Sequence, residues 1–314
     1  MYIGIDLGGT NIAAGIVDDN GKIIQKGSVP TLKERHYTEI IKDMAKLVKD
    51  IVSDAGFDIS EIKAVGIGCP GTIDNSRGMV VHSINIKMNN VQLASEFRKY
   101  IDVPVNIEND ANAAAYGEYI KNGNGADSYI FMTLGTGVGG GIIINGKIYR
   151  GFNCAGAEIG HTTIMLDGKQ CTCGKKGCLE SYASVTALIE QTAEKMDECH
   201  DSMMHEWVLK HGKINGRTAF ECAKAGDKAA IEVKERYIKY IAEGVSNMIN
   251  IFQPEVFVIG GGISKEGDEL LIPIKKFVYE NDYNKHMPKT DIKIAELFND
   301  AGIVGAAMGA INKV

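Results

Sequence analysis

The first thirty residues alternate short apolar runs with turn residues. Apolar side chains dominate Tyr2–Asp6 and Ile12–Val17, and the polar turn Asp18–Gly21 precedes a third run, Lys22–Val29. Short apolar runs bounded by glycine and by Asp-Asn-Gly turns are typical of β-strands joined in hairpins. The chain is therefore predicted to begin with an antiparallel meander of three strands.

Helical and strand-like patterns then alternate through the rest of the chain. Between Tyr37 and Ala55 the apolar residues recur at the spacing of an amphipathic helix. Further helices are predicted at 91–100, 110–121, 184–199, 218–225, 227–252 and 300–312, and further strands at 62–69, 103–107, 128–134 and 256–259. This alternation predicts an α/β protein.

The order strand, Gly-rich turn, strand occurs twice. Gly8-Gly9-Thr10 and Gly135-Thr136-Gly137 each follow a predicted strand, and each leads into a second strand and an Asn-Gly-Lys turn. This repeat predicts two domains of related topology with a cleft between them. We expect residues 1–117, with a C-terminal helix at 301–314, to form a small α/β domain. Residues 118–300 are expected to form a larger one.

Composition and charge narrow the classes of function. The 314 residues include 34 basic and 40 acidic ones, and the net charge of -6 is spread along the chain, so no nucleic-acid or membrane partner is expected. No secretion signal or membrane-length apolar run is present, which predicts a cytoplasmic protein. Seven cysteines, three of them clustered, indicate a metal site in a reducing compartment better than a disulfide framework.

Four candidate metal ligands lie in one short loop. They are His161, Cys171, Cys173 and Cys178. Four ligands of these types are what a tetrahedral Zn²⁺ site requires, and the turn residues Gly174 and Gly177 favour a loop that closes on itself. We interpret the loop as one structural zinc site, with a chance cluster or a disulfide as the alternative. Glu158 and Glu180 flank it and are expected to face a substrate.

Three Gly-rich turns follow predicted strands, at Leu7–Thr10, Leu134–Gly141 and Gly260–Ser264. Glycine lets the backbone approach a ligand closely and direct N–H groups at phosphate oxygens. A single turn of this kind is more often just a tight turn, and none of the three matches the P-loop or the dinucleotide fingerprint. Together they predict a nucleotide bound between the two domains.

Two aspartates are candidates for the chemistry of such a site. Asp6 ends the first strand and is placed to hold Mg²⁺ through water, or it only caps the turn. Asp110 begins a predicted helix and is the candidate general base for phosphoryl transfer to a hydroxyl group. The alternative for Asp110 is that it only caps the helix.

Six blocks of sequence, in this order, resemble the ROK (repressor, open reading frame, kinase) family of sugar kinases. They are DLGGT at 6–10, GCPG at 68–71, ENDANA at 108–113, LGTGVGGG at 134–141, EIGH at 158–161 and CTCGKKGCLE at 171–180. The resemblance continues through Gly260–Ser264 to 300–302 and so spans nearly the whole chain. The EIGH and cysteine blocks are the most specific.

The resemblance implies an actin-like, hexokinase-type and ribonuclease H-like fold, in which two α/β domains close on ATP and a hexose. It implies that Asp110 accepts the proton of the sugar 6-hydroxyl. The other sugar contacts that it implies are Gly71, Asn85, Asn109, Glu158, His161 and Glu180. The nucleotide contacts that it implies are Asp6, Gly8, Gly9, Thr10, Asn11, Thr136, Gly137, Gly261 and Gly262. His161 would bind zinc through one ring nitrogen and face the sugar with the other.

Two segments depart from the family pattern. Ser83–Asn89 reads SINIKMN where many family kinases have Pro-Asn-Leu followed by Trp, which leaves the identity of the hexose open. Asn11 stands where lysine is frequent, which removes one positive charge near the phosphates.

The resemblance favours transfer of the γ-phosphoryl group of ATP to the 6-hydroxyl of glucose, with Mg²⁺ as cofactor and zinc in a structural role. A kinase for another hexose (N-acetylmannosamine, N-acetylglucosamine, fructose or allose) and a non-catalytic sugar sensor are the alternatives. The DNA-binding repressors of the family carry a helix-turn-helix before the first strand, whereas the strand here begins at residue 2, so DNA binding is not expected. A homodimer is expected from the resemblance alone.

Overall fold

The computed structural model describes residues 1–123 and 125–311, and the chain forms two units that are each discontinuous in sequence. The first unit comprises Met1–Tyr129, Gly141–Ala157 and the residues from Glu296 onward, and the second comprises Ile130–Gly140 and Glu158–Ala295.

Within residues 1–123 and 125–311, the strands form two five-stranded sheets and one three-stranded sheet. They are β1 (Tyr2–Leu7), β2 (Asn11–Val17), β3 (Ile23–Pro30), β4 (Ala64–Cys69), β5 (Thr72–Asp74), β6 (Met79–Ser83), β7 (Met88–Val91), β8 (Val105–Asn109), β9 (Ser128–Leu134), β10 (Val138–Ile144), β11 (Lys147–Ile148), β12 (Val256–Gly260) and β13 (Asp291–Ile294).

The described residues also form α-helices. They are α1 (Tyr37–Asp54), α2 (Leu93–Arg98), α3 (Asp110–Asn122), α4 (Glu180–Ala183), α5 (Val185–Glu198), α6 (Met204–His211), α7 (Thr218–Lys224), α8 (Lys228–Phe252), α9 (Asp268–Asn281) and α10 (Ala301–Ala310).

The first sheet is mixed and has the order β3-β2-β1-β4-β8. The predicted meander is confirmed: β1 pairs antiparallel with β2, β2 pairs antiparallel with β3, and the turn is closed by a bond from Gly21 N–H to Asp18 O. On its other side β1 pairs parallel with β4, and β4 pairs parallel with β8. The carboxyl ends of β1, β4 and β8 therefore lie at the same edge, which carries Asp6, Cys69 and Asn109.

Helix α10 lies directly on β1 and β4 because the strand residues that face its backbone are glycines. A Cβ at Gly4 of β1 would overlap the carbonyl oxygen of Ile303, and one at Gly66 of β4 would overlap that of Ala306. A Cβ at Gly305 of α10 would likewise overlap Ala113 O of α3. These close contacts hold α3 against α10, and a Cβ at Gly68 of β4 would lie 3.7 Å from Asp110 Cα, so the first residue of α3 lies against the sheet.

The second five-stranded sheet has the order β11-β10-β9-β12-β13. Strands β12 and β13 are parallel, and β10 and β11 form an antiparallel hairpin. Helix α8 buries Tyr237 completely, with its ring perpendicular to that of Phe220 of α7. Burial of aromatic rings of this size is a large apolar contribution to the core of the second unit.

Most predicted helices and strands are confirmed, with ends that differ by a few residues. The prediction missed the sheet β5-β6-β7, strand β13 and helices α4, α6 and α9. Helix α9 contains Pro273 in its interior, where proline normally disfavours helix. The predicted C-terminal helix ends at Ala310, and residues 312–314 lie outside the described part of the chain.

Among residues 1–123 and 125–311, no helix combines the length and the apolar composition that crossing a membrane requires.

Candidate active site

Asp110 lies at the junction of β8 and α3. Asn109 remains extended (φ -62°, ψ 143°), and its side-chain oxygen accepts the N–H of Asn112 at 3.1 Å, so it is the N-cap of the helix. The Asp110 carboxylate accepts the N–H of Ala111 at 2.9 Å. Burial raises the pKa of Asp110, and the backbone N–H groups oppose this rise. The carboxylate is thus held at a helix N-terminus in a largely buried place.

Asp6 is the electrostatic neighbour of Asp110. Burial, reinforced by the charge of Asp110, raises the pKa of Asp6 to about 6. Its carboxyl group packs on the first turn of α10, since a Cβ at Gly302 would lie 2.8 Å from Asp6 Cγ. Two neighbouring acids with raised pKa values favour a cation between or beside them. The pair therefore fits the expectation that Asp6 holds Mg²⁺.

A buried ion pair stabilises the junction of β8 and α3. Glu108 is 5% exposed, and its Oε2 accepts both Nε (2.8 Å) and Nη2 (2.5 Å) of Arg150. Its Oε1 accepts the backbone N–H of Asn109 at 3.1 Å and the side-chain amide of Asn112 at 3.3 Å. The ends of the strand and helix that present Asp110 are therefore tied to a segment 42 residues further along the chain.

The predicted sugar contacts of the first unit are gathered at the same edge. Asn109 donates its side-chain amide to Gly71 O at 3.1 Å. Gly71 has φ +105°, and a Cβ there would overlap the carbonyl oxygen of His82, so only glycine fits. Asn85 is exposed in the β6–β7 turn, where a Cβ at Gly9 would lie 3.9 Å from its own Cβ. Asn85 is thus a neighbour of the first Gly-rich turn.

That first turn, Gly8–Asn11, joins β1 to β2. The N–H of Gly8 donates to Asn11 O at 3.0 Å and closes the turn. Thr31 contacts it from the end of β3, with its hydroxyl bonded to Gly8 O and its N–H bonded to Thr10 O. Sequence reasoning did not single out Thr31, because no local pattern distinguishes it from other threonines.

The four predicted metal ligands come together in the second unit. The ligand atoms of His161, Cys171, Cys173 and Cys178 all lie within 4.8 Å of one another. Sγ of Cys173 and Sγ of Cys178 are 3.6 Å apart, close to the roughly 3.8 Å expected between two sulfurs bound tetrahedrally at about 2.3 Å from zinc. The donor set and its spacing therefore fit structural zinc.

The loop around these ligands is folded by its own backbone. Cys171 O accepts the N–H of Gly174, and Lys175 O accepts the N–H of Cys171. A Cβ at Gly177, which has φ +77°, would overlap the carbonyl oxygen of Met165. His161 directs Nδ1 at Cys171 Sγ, 3.6 Å away, so its Nε2 points away from that sulfur. The ring therefore directs Nδ1 into the cysteine cluster, and a contact of Nε2 with the sugar stays a prediction.

Glu180 connects the metal loop with the second Gly-rich turn. Its Oε2 accepts the N–H of Val138 at 3.0 Å, and a Cβ at Gly137 would overlap that oxygen. Its Oε1 lies 3.9 Å from Cys171 Sγ. Glu180 thus has a bond within the protein in addition to the expected contact with the substrate.

The remaining predicted contacts of the second unit lie at strand ends. Thr136 O, in the turn after β9, accepts the hydroxyl of Thr186 at 2.8 Å. Gly261 follows β12 with φ +84°, and a Cβ there would overlap Leu134 O, whereas Gly262 faces open space. Glu158 directly precedes the short 3₁₀ helix Ile159–His161.

Known proteins resemble the chain over almost its full length. A sequence model described as "ROK family" matches residues 2–313. A glucokinase of Halalkalibacterium halodurans is 37% identical, over 97% of this chain and 93% of that protein. A glucokinase of Thermotoga maritima is also 37% identical, over 97% of this chain and 95% of that protein.

A solved structure extends this similarity to the fold. The ROK family glucokinase of Streptomyces griseus, in complex with glucose and AMPPNP, has a TM-score of 0.85 and 35% identity, with 99% of each chain covered. Its likeness confirms the predicted actin-like α/β fold with two mixed sheets.

Proposed function

Because this chain belongs to the ROK family, we propose that it transfers the γ-phosphoryl group of ATP to the 6-hydroxyl of glucose. Its similarity to several glucokinases over nearly the full length makes it a glucokinase-like sugar kinase. The proposal also includes glucose as the substrate and the roles of individual residues that are described below.

The observation that carries the proposal is the Asp110 carboxylate, held at the start of α3 with a raised pKa. A general base works best when its pKa approaches the working pH, and proton transfer of this kind contributes about 10²- to 10⁴-fold to a rate. Asp110 accepts the proton of the 6-hydroxyl as that oxygen bonds to the γ-phosphorus. The bond between the γ-phosphorus and the β,γ-bridging oxygen breaks, and ADP leaves with its electron pair.

The sugar is positioned by hydrogen bonds that match its hydroxyl groups. Asn109 and Gly71 are already joined to each other beside Asp110, so the wall next to the reacting oxygen is preformed. The other groups proposed to bind hydroxyls are Asn85, Glu158, His161 and Glu180. Prior organisation of this kind increases the rate because the reactants lose less freedom at the transition state.

The phosphates of ATP are proposed to bind the backbone N–H groups of Gly8–Asn11 and of Thr136 and Gly137, with Gly261 and Gly262 along the adenosine. Asp6 would hold Mg²⁺ through water, and the ion would supply positive charge to the phosphate oxygens. The four-ligand cluster would hold zinc and so fix the orientation of His161.

The test is a coupled ADP-release assay with Mg-ATP and a panel of glucose, N-acetylmannosamine, N-acetylglucosamine, fructose and allose. Glucose should have the highest kcat/KM, and D110A and D110N should lose about 10²-fold or more in kcat while retaining glucose binding in calorimetry.

Faster turnover of another sugar would replace glucose as the substrate and leave the mechanism intact. Normal turnover by D110A would refute the role of Asp110. Binding of glucose by the wild-type protein without any phosphorylation would favour the sugar sensor.

A further inference from the structure

The Gly8–Asn11 turn contains a peptide unit whose orientation is only weakly restrained by side-chain packing. This unit joins Gly8 to Gly9, and neither residue has a Cβ that would restrict its backbone angles. Even an added Cβ at Gly9 would meet nothing closer than Asn85 at 3.9 Å. A turn of this kind needs another restraint before its N–H groups can be aimed at a ligand.

Thr31 supplies that restraint from the end of β3. Its Oγ1–H donates to Gly8 O at 2.6 Å, and its backbone N–H donates to Thr10 O at 2.9 Å. Thr31 is 0% exposed, so water does not compete for these bonds. Its own carbonyl accepts Nη2 of Arg35 at 3.2 Å, and Arg35 pairs with Asp43 of α1 at 2.6 Å. The residue is therefore fixed on both sides.

The two bonds determine which way the turn presents its donors. A trans peptide points its carbonyl and its N–H in opposite directions, and the described residues contain no cis peptide bond. With Gly8 O bound to Thr31, the N–H of Gly9 points away from Thr31. With Thr10 O bound to Thr31, the same holds for the N–H of Asn11. The face of the turn opposite Thr31 thus presents N–H groups, which are the donors that phosphate oxygens accept.

We propose that Thr31 is a positioning residue for nucleotide binding, which holds the Gly8–Gly9 peptide with its N–H directed at the phosphates of ATP. It acts through the turn and does not touch the nucleotide. The inference rests on the proposed function in one respect, that Gly8–Asn11 is a phosphate-binding turn.

The experiment compares T31V, which keeps the shape of the side chain but lacks the hydroxyl donor, with T31S, which keeps the donor. T290V is the matched control, because Thr290 is also buried and donates its hydroxyl to a backbone carbonyl, Pro254 O, at 2.7 Å in the second unit. Affinities for Mg-AMPPNP and for glucose are measured separately by calorimetry, and KM for ATP and kcat are measured in the coupled assay.

T31V should bind Mg-AMPPNP about 3- to 10-fold more weakly and raise KM for ATP by a similar factor, as expected for one lost hydrogen bond. T31S and T290V should remain near the wild-type values, and the affinity for glucose should be unchanged in all variants. Should T31V not fold, T31A replaces it with the same expected loss.

Wild-type affinity of T31V for Mg-AMPPNP would overturn the inference. A joint loss of glucose and nucleotide affinity that T290V reproduces would indicate general destabilisation and would also overturn it. Because binding is measured without turnover, a wild-type protein that binds Mg-AMPPNP but phosphorylates no sugar contradicts the proposed function alone.

Discussion

Replacing Arg150 with methionine leaves the Glu108 carboxylate buried without its cation. Glu108 is 5% exposed and accepts four donors, two from Arg150 and one each from Asn109 and Asn112. R150M removes the two charged donors and leaves two neutral ones. Loss of one partner from a fully buried pair costs about 3–5 kcal/mol, because the remaining charge is not compensated.

The structure places the expected cost at the lower end of this range. Arg150 is 33% exposed, so water can reach the place that its guanidinium leaves. We therefore expect R150M to lower the free energy of unfolding by about 3 kcal/mol. In the double variant E108Q/R150M no buried charge remains, and the loss should be smaller than in R150M by about 1–2 kcal/mol.

The assay is urea unfolding followed by far-ultraviolet circular dichroism for the wild type, both single variants and the double variant. R98M serves as the control, since Arg98 pairs with Asp102 at 3.0 Å on the surface, and loss of an exposed pair has little effect on stability. The reasoning is refuted if R150M costs no more than R98M. It is also refuted if the losses of E108Q and R150M simply add in the double variant.

The remaining predictions concern a pH dependence and the metal cluster. Because burial and Asp110 raise the pKa of Asp6 from 3.8 to about 6, ionised Asp6 destabilises the ligand-free fold above about pH 6, and this cost disappears as the pH falls towards 4. In urea unfolding at pH 8, D6N should therefore have a free energy of unfolding about 1–3 kcal/mol higher than that of the wild type. This difference should be smaller at pH 5, and a difference that does not change with pH would contradict the prediction. C178S should reduce bound zinc from about one ion per chain to a small fraction and lower Tm, as measured by elemental analysis and calorimetry. C199S, which changes a cysteine outside the cluster, should alter neither, and full zinc content in C178S would exclude Cys178 as a ligand.

The features that could be predicted from sequence depend on residues close together in the chain. The β1-β2-β3 meander was predictable because Asp18–Gly21 forms its turn with its own side chain and backbone, including bonds from Asn20 and Lys22 to Asp18 Oδ1 at 2.9 Å. The cluster of four candidate zinc ligands was predictable because its members lie in one loop with its own turn glycines. Asp110 was recognisable at a helix start because the capping residue Asn109 directly precedes an alanine-rich helix.

Other elements escaped prediction because local patterns contradict them or are too short. Helix α9 contains Pro273, and its buried positions Leu270, Ile274 and Val278 form only a narrow stripe. In the small sheet, β7 is Met-Asn-Asn-Val with two exposed asparagines, a pattern that resembles a loop. In both cases packing against neighbouring elements outweighs the local preference.

The residues that support the candidate site come from separate parts of the chain. Glu108 and Arg150 are 42 residues apart and Thr31 and Gly8 are 23 apart, and no periodicity or spacing links the members of either pair. Thr31 meets Gly8 because strand order places β3 beside β2, and Arg150 meets Glu108 because the folded chain brings the segment after β11 to the end of β8. Local sequence determines turns, caps and ligand sets, because those interactions span a few residues. Buried ion pairs and the orientation of a glycine turn depend on the tertiary structure. Their hydrogen bonds form only when segments distant in sequence pack against each other and exclude water.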